Sequence, residues 1–129
     1  MTDMFTIEII SPDQSILKQE VDEVTIPSYE GQMGILNNHI PLITFLRPGI
    51  ITIKAKAEKK FYVEDGTVEF SNNNLLILTS TARDLANFDK ALVNDLLKKT
   101  ESQLNNTNFT DKDRYKISYK IETLREISQ

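Results

Sequence analysis

The sequence predicts a β-rich domain, a sandwich or flattened barrel over residues 1–86, followed by an antiparallel two-helix hairpin over residues 87–129. Three observations lead there. Apolar and polar residues alternate strand-like from residue 5 to about 80. The strand-like runs are short and are separated by turn residues at roughly 8–12 residue spacing. After Arg83 the apolar period becomes helical and stays so.

"FTIEI" places Phe5, Ile7 and Ile9 on one face of a strand, and "VDEVTIP" runs into Val24 and Ile26 before Pro27 ends it. "LITFLRPGIITIK" reads as strand, tight turn, strand. Pro48 presets the second position of the turn and Gly49 supplies positive φ at the third, so the two arms should pair as a hairpin. "KFYVEDGTVEF" repeats this pattern around Asp65 and Gly66, and the asparagines of "SNNNLLIL" make a turn before a buried strand centred on Leu75 to Leu78. In the helical part, Leu92, Val93, Leu96, Leu97 and Leu104 form one stripe, with Asn87 as N-cap and Asp89 in the first turn. "NNTN" at 105–108 breaks the pattern. Thr110 and Asp113, at capping-box spacing, restart it, and Ile117, Ile121, Leu124 and Ile127 form a second stripe.

The 129 residues suit one domain with a small appendage. The absence of cysteine removes disulfides and thiolate metal sites, and a single histidine makes a zinc site improbable. No run approaches the roughly 18 apolar residues of a membrane span, and the N-terminus lacks the pattern of a signal or transit peptide. Residues 1–86 carry 12 acids and 7 bases, residues 87–129 carry 7 acids and 8 bases, and neither balance fits a nucleic-acid binder.

Catalytic chemistry finds no support. G-x-S-x-G is absent, and "GQMG" lacks the Gly-Lys-Ser/Thr ending of a phosphate loop. The pairs Asp22–Glu23 and Glu64–Asp65 are adjacent residues, whose side chains point to opposite faces of a strand and cannot flank one bond. Neither a catalytic residue, a cofactor site nor a metal site is expected. "EGQMGILNNHIPLI", residues 30 to 43, reads as a binding loop, in which His39 is either an imidazole hydrogen-bonded to backbone or a subunit-interface residue.

Ser11-Pro12, "EGQMGI", "NNHIPLI", "RPGIITIK" and "VEDGTVEFSNNNLLILTSTA", in this order and followed by a two-helix tail, resemble the epsilon subunit of the F-type rotary ATP synthase over essentially the whole chain. The resemblance implies a ten-stranded β-sandwich in the central stalk of a proton-translocating complex, non-catalytic, joining the gamma subunit to the c-ring. It implies that Gln32, with its neighbours Glu30 and Met33, faces the c-ring, and that Ser11, His39 and Thr44 lie toward gamma. In some members the helical hairpin blocks ATP hydrolysis by contacting the alpha and beta subunits, for which Arg114, Lys116, Lys120 and Arg125 are the candidate cations, Lys112 adding to the same stretch.

One departure concerns nucleotide. ATP-sensing members carry Asp-x-x-Arg-Ala at the start of the first tail helix, whereas this chain has Asp89-Lys90-Ala91-Leu92, with leucine where the phosphate-facing cation stands. The expected location is peripheral, on the cytoplasmic side of a bacterial inner membrane. The competing reading is a free-standing β-sandwich adaptor that takes a peptide or carbohydrate at residues 30 to 43.

Overall fold

The computed structural model describes residues 4–105 and 108–129, so the middle of the "NNTN" break lies outside the described residues. The chain divides into two compact units at Ala86/Asn87, the division expected from the change of period.

The first unit is one ten-stranded sheet that curls around its own core. Its strands are β1 (Phe5–Ile10), β2 (Ser15–Val21), β3 (Glu23–Ser28), β4 (Gly31–Leu36), β5 (Leu42–Leu46), β6 (Gly49–Lys54), β7 (Glu58–Val63), β8 (Gly66–Ser71), β9 (Asn74–Leu78) and the short β10 (Arg83–Asp84). They are ordered β10-β7-β6-β3-β5-β8-β9-β1-β2, with β4 on the remaining edge of β3. Alternation does what the sequence demands: Phe5, Ile7, Ile9, Val24, Ile26, Leu75 and Ile77 all point into the core. Each fully buried aliphatic side chain contributes roughly 1.5–3 kcal/mol.

Three strands were not legible, β2, β4 and the two-residue β10, and two connections differ from expectation. The arms around Pro48-Gly49 do not pair with each other. β5 pairs with β8 and touches β3 at Ser28↔Leu46, whereas β6 pairs with β3 and β7. The Asp65-Gly66 step likewise carries the chain from β7, paired with β6, to β8, paired with β5 and β9. Both are crossovers from one layer of the curled sheet to the other. Pro27 does not end its strand either. Its carbonyl accepts the Arg47 N–H at 3.0 Å on the edge away from β4, so the missing proline N–H falls where the β3–β4 ladder needs no bond.

Gly49 is not a positive-φ residue; Gly31 (φ 117) and Gly66 (φ 152) are. What Gly49 supplies is space, because a Cβ there would lie 2.4 Å from Pro27 Cβ. The asparagine turn behaves as expected. Asn72 (φ 51) and Asn73 (φ 57) close the β8–β9 hairpin in the left-handed pair of a type I′ turn.

The second unit holds α1 (Lys90–Gln103) and α2 (Asp111–Ser128), which pack together and share the Arg125–Glu101 ion pair at 3.0 Å. The N-cap of α1 is Asp89, whose carboxylate accepts the Ala91 N–H at 3.0 Å, and not Asn87. Asn87 instead closes a 3-10 turn over Leu85–Asn87, in which Ala86 N–H donates to Asp84. The α1 stripe is narrower than its leucines suggest: Val93 and Thr100 are buried, Leu96 and Leu97 half-buried, Leu92 and Leu104 exposed. In α2, Ile117, Ile121 and Leu124 are buried as expected, joined by Thr123. The buried hydroxyls of Thr100 and Thr123 donate to the Leu96 and Tyr119 carbonyls of their own helices, at 2.6 and 2.7 Å.

Thr110 and Asp113 form the complete capping box, with Thr110 N–H donating to the Asp113 carboxylate at 3.1 Å and Asp113 N–H donating to Thr110 Oγ at 3.2 Å. The backbone bond from Thr110, then its hydroxyl, with smaller help from Lys116 and Lys112, holds the Asp113 carboxyl below its ordinary value of 3.8. A depressed folded-state value means that the cap is at full strength above the ordinary value and is lost as pH falls through the lower one. Amide exchange at Asp113 and Arg114 should therefore accelerate only at strongly acid pH. Thr110→Ala should accelerate it at neutral pH, while Thr110→Ser should not.

The glycines give a second test. Gly49→Ala forces a methyl into the Pro27 ring and should cost on the order of 1–3 kcal/mol in denaturant unfolding. Gly34→Ala, where a Cβ meets nothing within 4 Å, should cost nothing.

Candidate functional site

The register of the strands defines two ends of the β unit. Leu46↔Gly66, Thr67↔Leu78 and Ile10↔Leu78 bring the β1–β2 turn at Ser11, the Asp65-Gly66 crossover and Thr79 to one end. Ser28↔Leu46 puts the Tyr29-Glu30 turn there too. At the opposite end the β4–β5 loop is clasped to the asparagine turn, with Asn38 N–H donating to Asn73 Oδ1 at 2.8 Å and Asn73 Nδ2 donating to Asn38 Oδ1 at 3.0 Å.

Residues 30 to 43 are less of a loop than the sequence suggests. Glu30 does sit in a turn, held by Ser28, whose Oγ accepts the Glu30 N–H and donates to the Gly31 carbonyl. Gln32 and Met33, however, belong to β4, paired with Pro27 and Ile26. Period-two alternation then separates them: Gln32 is exposed, while Met33 is half-buried and packs against the core. Glu30 and Gln32 can meet a partner directly; Met33 supports the sheet.

The structure does not bring Ser11, His39 and Thr44 together. Ser11 lies at the Glu30 end, where its N–H and Oγ both donate to the Gln14 carbonyl. It borders an open cleft of about 540 Å³ shared with Ile10, Asp65, Leu78 and Ser80. His39 lies at the other end, half-buried, its ring edge-on to Phe70 at 5.9 Å. Its Nδ1 is 2.8 Å from the Ile40 carbonyl, a group that only accepts, so the proton resides on Nδ1. The expected bond to backbone is thus present, and it is compatible with an interface position for His39. Thr44 points inward and is buried.

The residues beside Thr44 point outward instead. Ile43 is 73% exposed and Phe45 58%, and across the ladder from β8 to β9 they are joined by half-buried Leu76 and by Leu78, 44% exposed. A recess of about 160 Å³ opens between Ile43, Thr67, Glu69, Leu76 and Leu78. The result is an apolar strip on the outer face of β5, β8 and β9 that runs from the His39 loop to the Ser11 cleft. Isolated exposed aliphatics are ordinary, but two apolar pairs on one face, Ile43–Phe45 and Leu76–Leu78 on either side of Thr67 and Glu69, are more than that. Its sequence signal was "LITFL", a strand apolar on both faces, in which Leu42, Thr44 and Leu46 fill one side and Ile43 and Phe45 the other.

The tail cations divide as well. At 100° per residue, Lys112, Lys116 and Lys120 fall on one flank of the buried α2 stripe and Arg114 and Arg125 on the other. Arg125 is engaged with Glu101. At the head of α1, Asp89 is committed to the cap, and Leu92, 37% exposed, offers no charge to a phosphate.

Among the described residues no group of three or more His, Asp or Glu side chains is arranged to hold a metal ion. Among the same residues, no helix is long and apolar enough to cross a membrane.

Comparison with known proteins agrees with this architecture. Residues 4–84 match the family model of the ATP synthase Delta/Epsilon chain β-sandwich domain. The chain is 45% identical to the ATP synthase epsilon chain of Pelagibacter ubique over 99% of its own length and 100% of the relative's. It is 32% identical to that of Nitrobacter winogradskyi over 93% and 86%. Among solved structures, a chain of the Euglena gracilis mitochondrial ATP synthase OSCP/F1/c-ring assembly shares the fold, with TM-score 0.75 and 21% identity over 95% of this chain and 78% of that one. A chain of the Tetrahymena thermophila mitochondrial ATP synthase central stalk and c-ring does so with TM-score 0.63 and 15% identity, over 96% of each. A ten-stranded curled sheet followed in the chain by two helices, a matching sandwich model and full-length relatives together place this chain in the family of ATP synthase epsilon chains, which are non-catalytic subunits of that complex.

Proposed function

We propose that this chain is a central-stalk subunit that joins gamma to the c-ring, and that the outer strip of β5, β8 and β9 is its gamma-binding face. The observation that carries the reading is the exposure of Ile43, Phe45 and Leu78 on one sheet face, where the β5 pair and Leu78 of β9 flank Thr67 and Glu69 of β8. Such a strip costs solubility in a lone domain and is accounted for by a partner that covers it. The strip also relates the gamma-facing positions to one another, since Ser11 and the His39 loop lie at its two ends. Glu30 and Gln32, at and beside the turn of the Ser11 end, are then the residues turned toward the c-ring. The family relatives are themselves ATP synthase chains, which favours this reading over a free-standing adaptor. Membrane association is through the complex, on the cytoplasmic side of a bacterial inner membrane.

The strip can be tested without disturbing the fold, because its side chains are already in water. Ile43→Glu with Phe45→Glu should leave thermal unfolding within about 0.5 kcal/mol of the parent and lower co-purification of gamma at least about tenfold. Lys56→Glu, at the exposed β6–β7 turn, is the control and should leave it unchanged. Equal recovery of gamma by the double variant and the control would reject the assignment.

The reading extends to the tail as a brake on ATP hydrolysis. What supports it is the small apolar area of α1 and α2, Val93, Ile117, Ile121 and Leu124, with cations on both flanks. Removing residues 87–129 should preserve assembly and ATP synthesis and raise ATP hydrolysis severalfold. Arg114→Glu should reproduce part of that gain if the arginine flank meets the catalytic subunits, and Lys116→Glu if the lysine flank does. Hydrolysis unchanged by the truncation would show that the helices are a structural appendage.

A further inference from the structure

Strand β4 is an open edge of the sheet, pairing with β3 and with no other strand among the described residues. Open edges are ordinarily guarded against strand addition by charge, proline, bulges or brevity. β2 carries Lys18 and Glu20 and faces a bulge at Ile9/Ile10, and β10 is two residues long. The half of β7 that β10 leaves open carries Glu58, Lys59 and Lys60. β4, "GQMGIL", has none of these guards: six residues, no charge, no proline and an unbroken register against β3.

The direction of its backbone groups follows from the ladder. Because the Pro27 carbonyl bonds to Arg47 on the far edge of β3, Pro27↔Gln32 is a non-hydrogen-bonded pair. By alternation so is Thr25↔Gly34. The N–H and C=O groups of Gln32 and Gly34 therefore point out of the sheet edge, whereas the carbonyl of Leu36 is taken by His39 N–H at 3.1 Å. Gly34 adds an independent observation. Its φ is not positive and a Cβ would meet nothing within 4 Å, so nothing inside this chain requires glycine there. Glycine inside a strand weakens it and is found where another backbone comes close.

We propose that the β4 edge receives an extended segment of a neighbouring subunit as an added strand, bonded to the outward backbone groups of Gln32 and Gly34, with a cation of that segment facing Glu30. The net charge of −4 disfavours a second copy of the chain as the occupant. Glu30, Glu64 and Asp65, which share one end of the unit, disfavour an anionic lipid surface and match a basic peptide. The proposal rests on the central-stalk reading and adds the mode of contact to it.

Hydrogen exchange read amide by amide tests it. In the free chain the Gln32 and Gly34 amides should exchange freely while Met33 and Ile35, bonded into β3, are protected. In the complex reconstituted with gamma and the c-ring, Gln32 and Gly34 should slow at least about tenfold. A complex that forms with both amides still open overturns strand addition and leaves the stalk reading intact; failure of the complex to form overturns both. Protection that rises with concentration of the chain alone, or on adding phosphatidylglycerol vesicles, would assign the edge to a second copy or a membrane and overturn the proposal. Gly34→Pro removes an N–H that no group of the chain uses, and it should assemble at least about tenfold more weakly at an unchanged melting temperature. Gly34→Ala keeps the N–H but adds a methyl where the incoming backbone comes close, so it should assemble more weakly than the parent and less weakly than the proline variant, at an unchanged melting temperature. Should the proline variant fail to fold, the exchange measurement on the parent chain decides.

Discussion

The β unit depends on how closely Gly49 approaches Pro27. Strand β3 serves three neighbours with two edges: β4 along one, and on the other β6 at its start and β5 at its end. The changeover from β6 to β5 is the corner where the sheet folds over its core. It works because a proline that bonds sideways through its carbonyl meets a residue with no side chain. A methyl at position 49 would push the two layers apart at the hinge of the sheet, and Leu46 and Ile51, both buried and on either side of that step, would lose their packing together.

That corner also distributes the surfaces. Bending the sheet there turns the outer face of β5, β8 and β9 away from β4, so the apolar strip and the uncharged edge belong to different sides of one small body. The tail follows another logic. Its buried threonines bond to carbonyls of their own helices, so the two helices can part without leaving a buried hydroxyl unsatisfied. The Arg125–Glu101 ion pair adds little to their mutual attachment, since its side chains are 60% and 42% exposed.

Features whose cause lies within a few residues were legible in the sequence: the asparagine turn, the capping box of α2, the inward alternation of β1, and the change of period; β9 was expected to be buried throughout, whereas only Leu75 and Ile77 are and Leu78 is 44% exposed. The start of α1 was missed because Asn87 and Asp89 are both good caps, and a bond from Ala86 to Asp84 decides between them. The two crossovers were missed because Pro-Gly and Asp-Gly look the same whether the strands they join pair with each other or part to different neighbours. That choice is made by β3 and β8, far away in the chain. β4 was read as loop because its glycines and the asparagines that follow it, Asn37 and Asn38, mimic one. Its partner, not its composition, makes it a strand. In the site, Thr44 was selected and its neighbours overlooked, since a strand apolar on both faces gives no clue to which side is the core. Gly34 was visible as a letter; that it is unneeded within the chain could be learned only from the space around it.

The parallel pairing of β1 with β9 has a consequence for biosynthesis. Thr6 sits against Asn74 and Ile10 against Leu78, so the first strand made waits for almost the last before one of its edges is filled. Contacts of such long sequence separation make folding slow, and they make it late. While the chain is still emerging from the ribosome, β1 and β2 can form only a lone hairpin. The corner at Gly49 needs only residues 23–54, but the apolar strip and the mouth of the Ser11 cleft, which both include Leu78, wait for that residue. A chain halted before that point would have its corner and lack both surfaces.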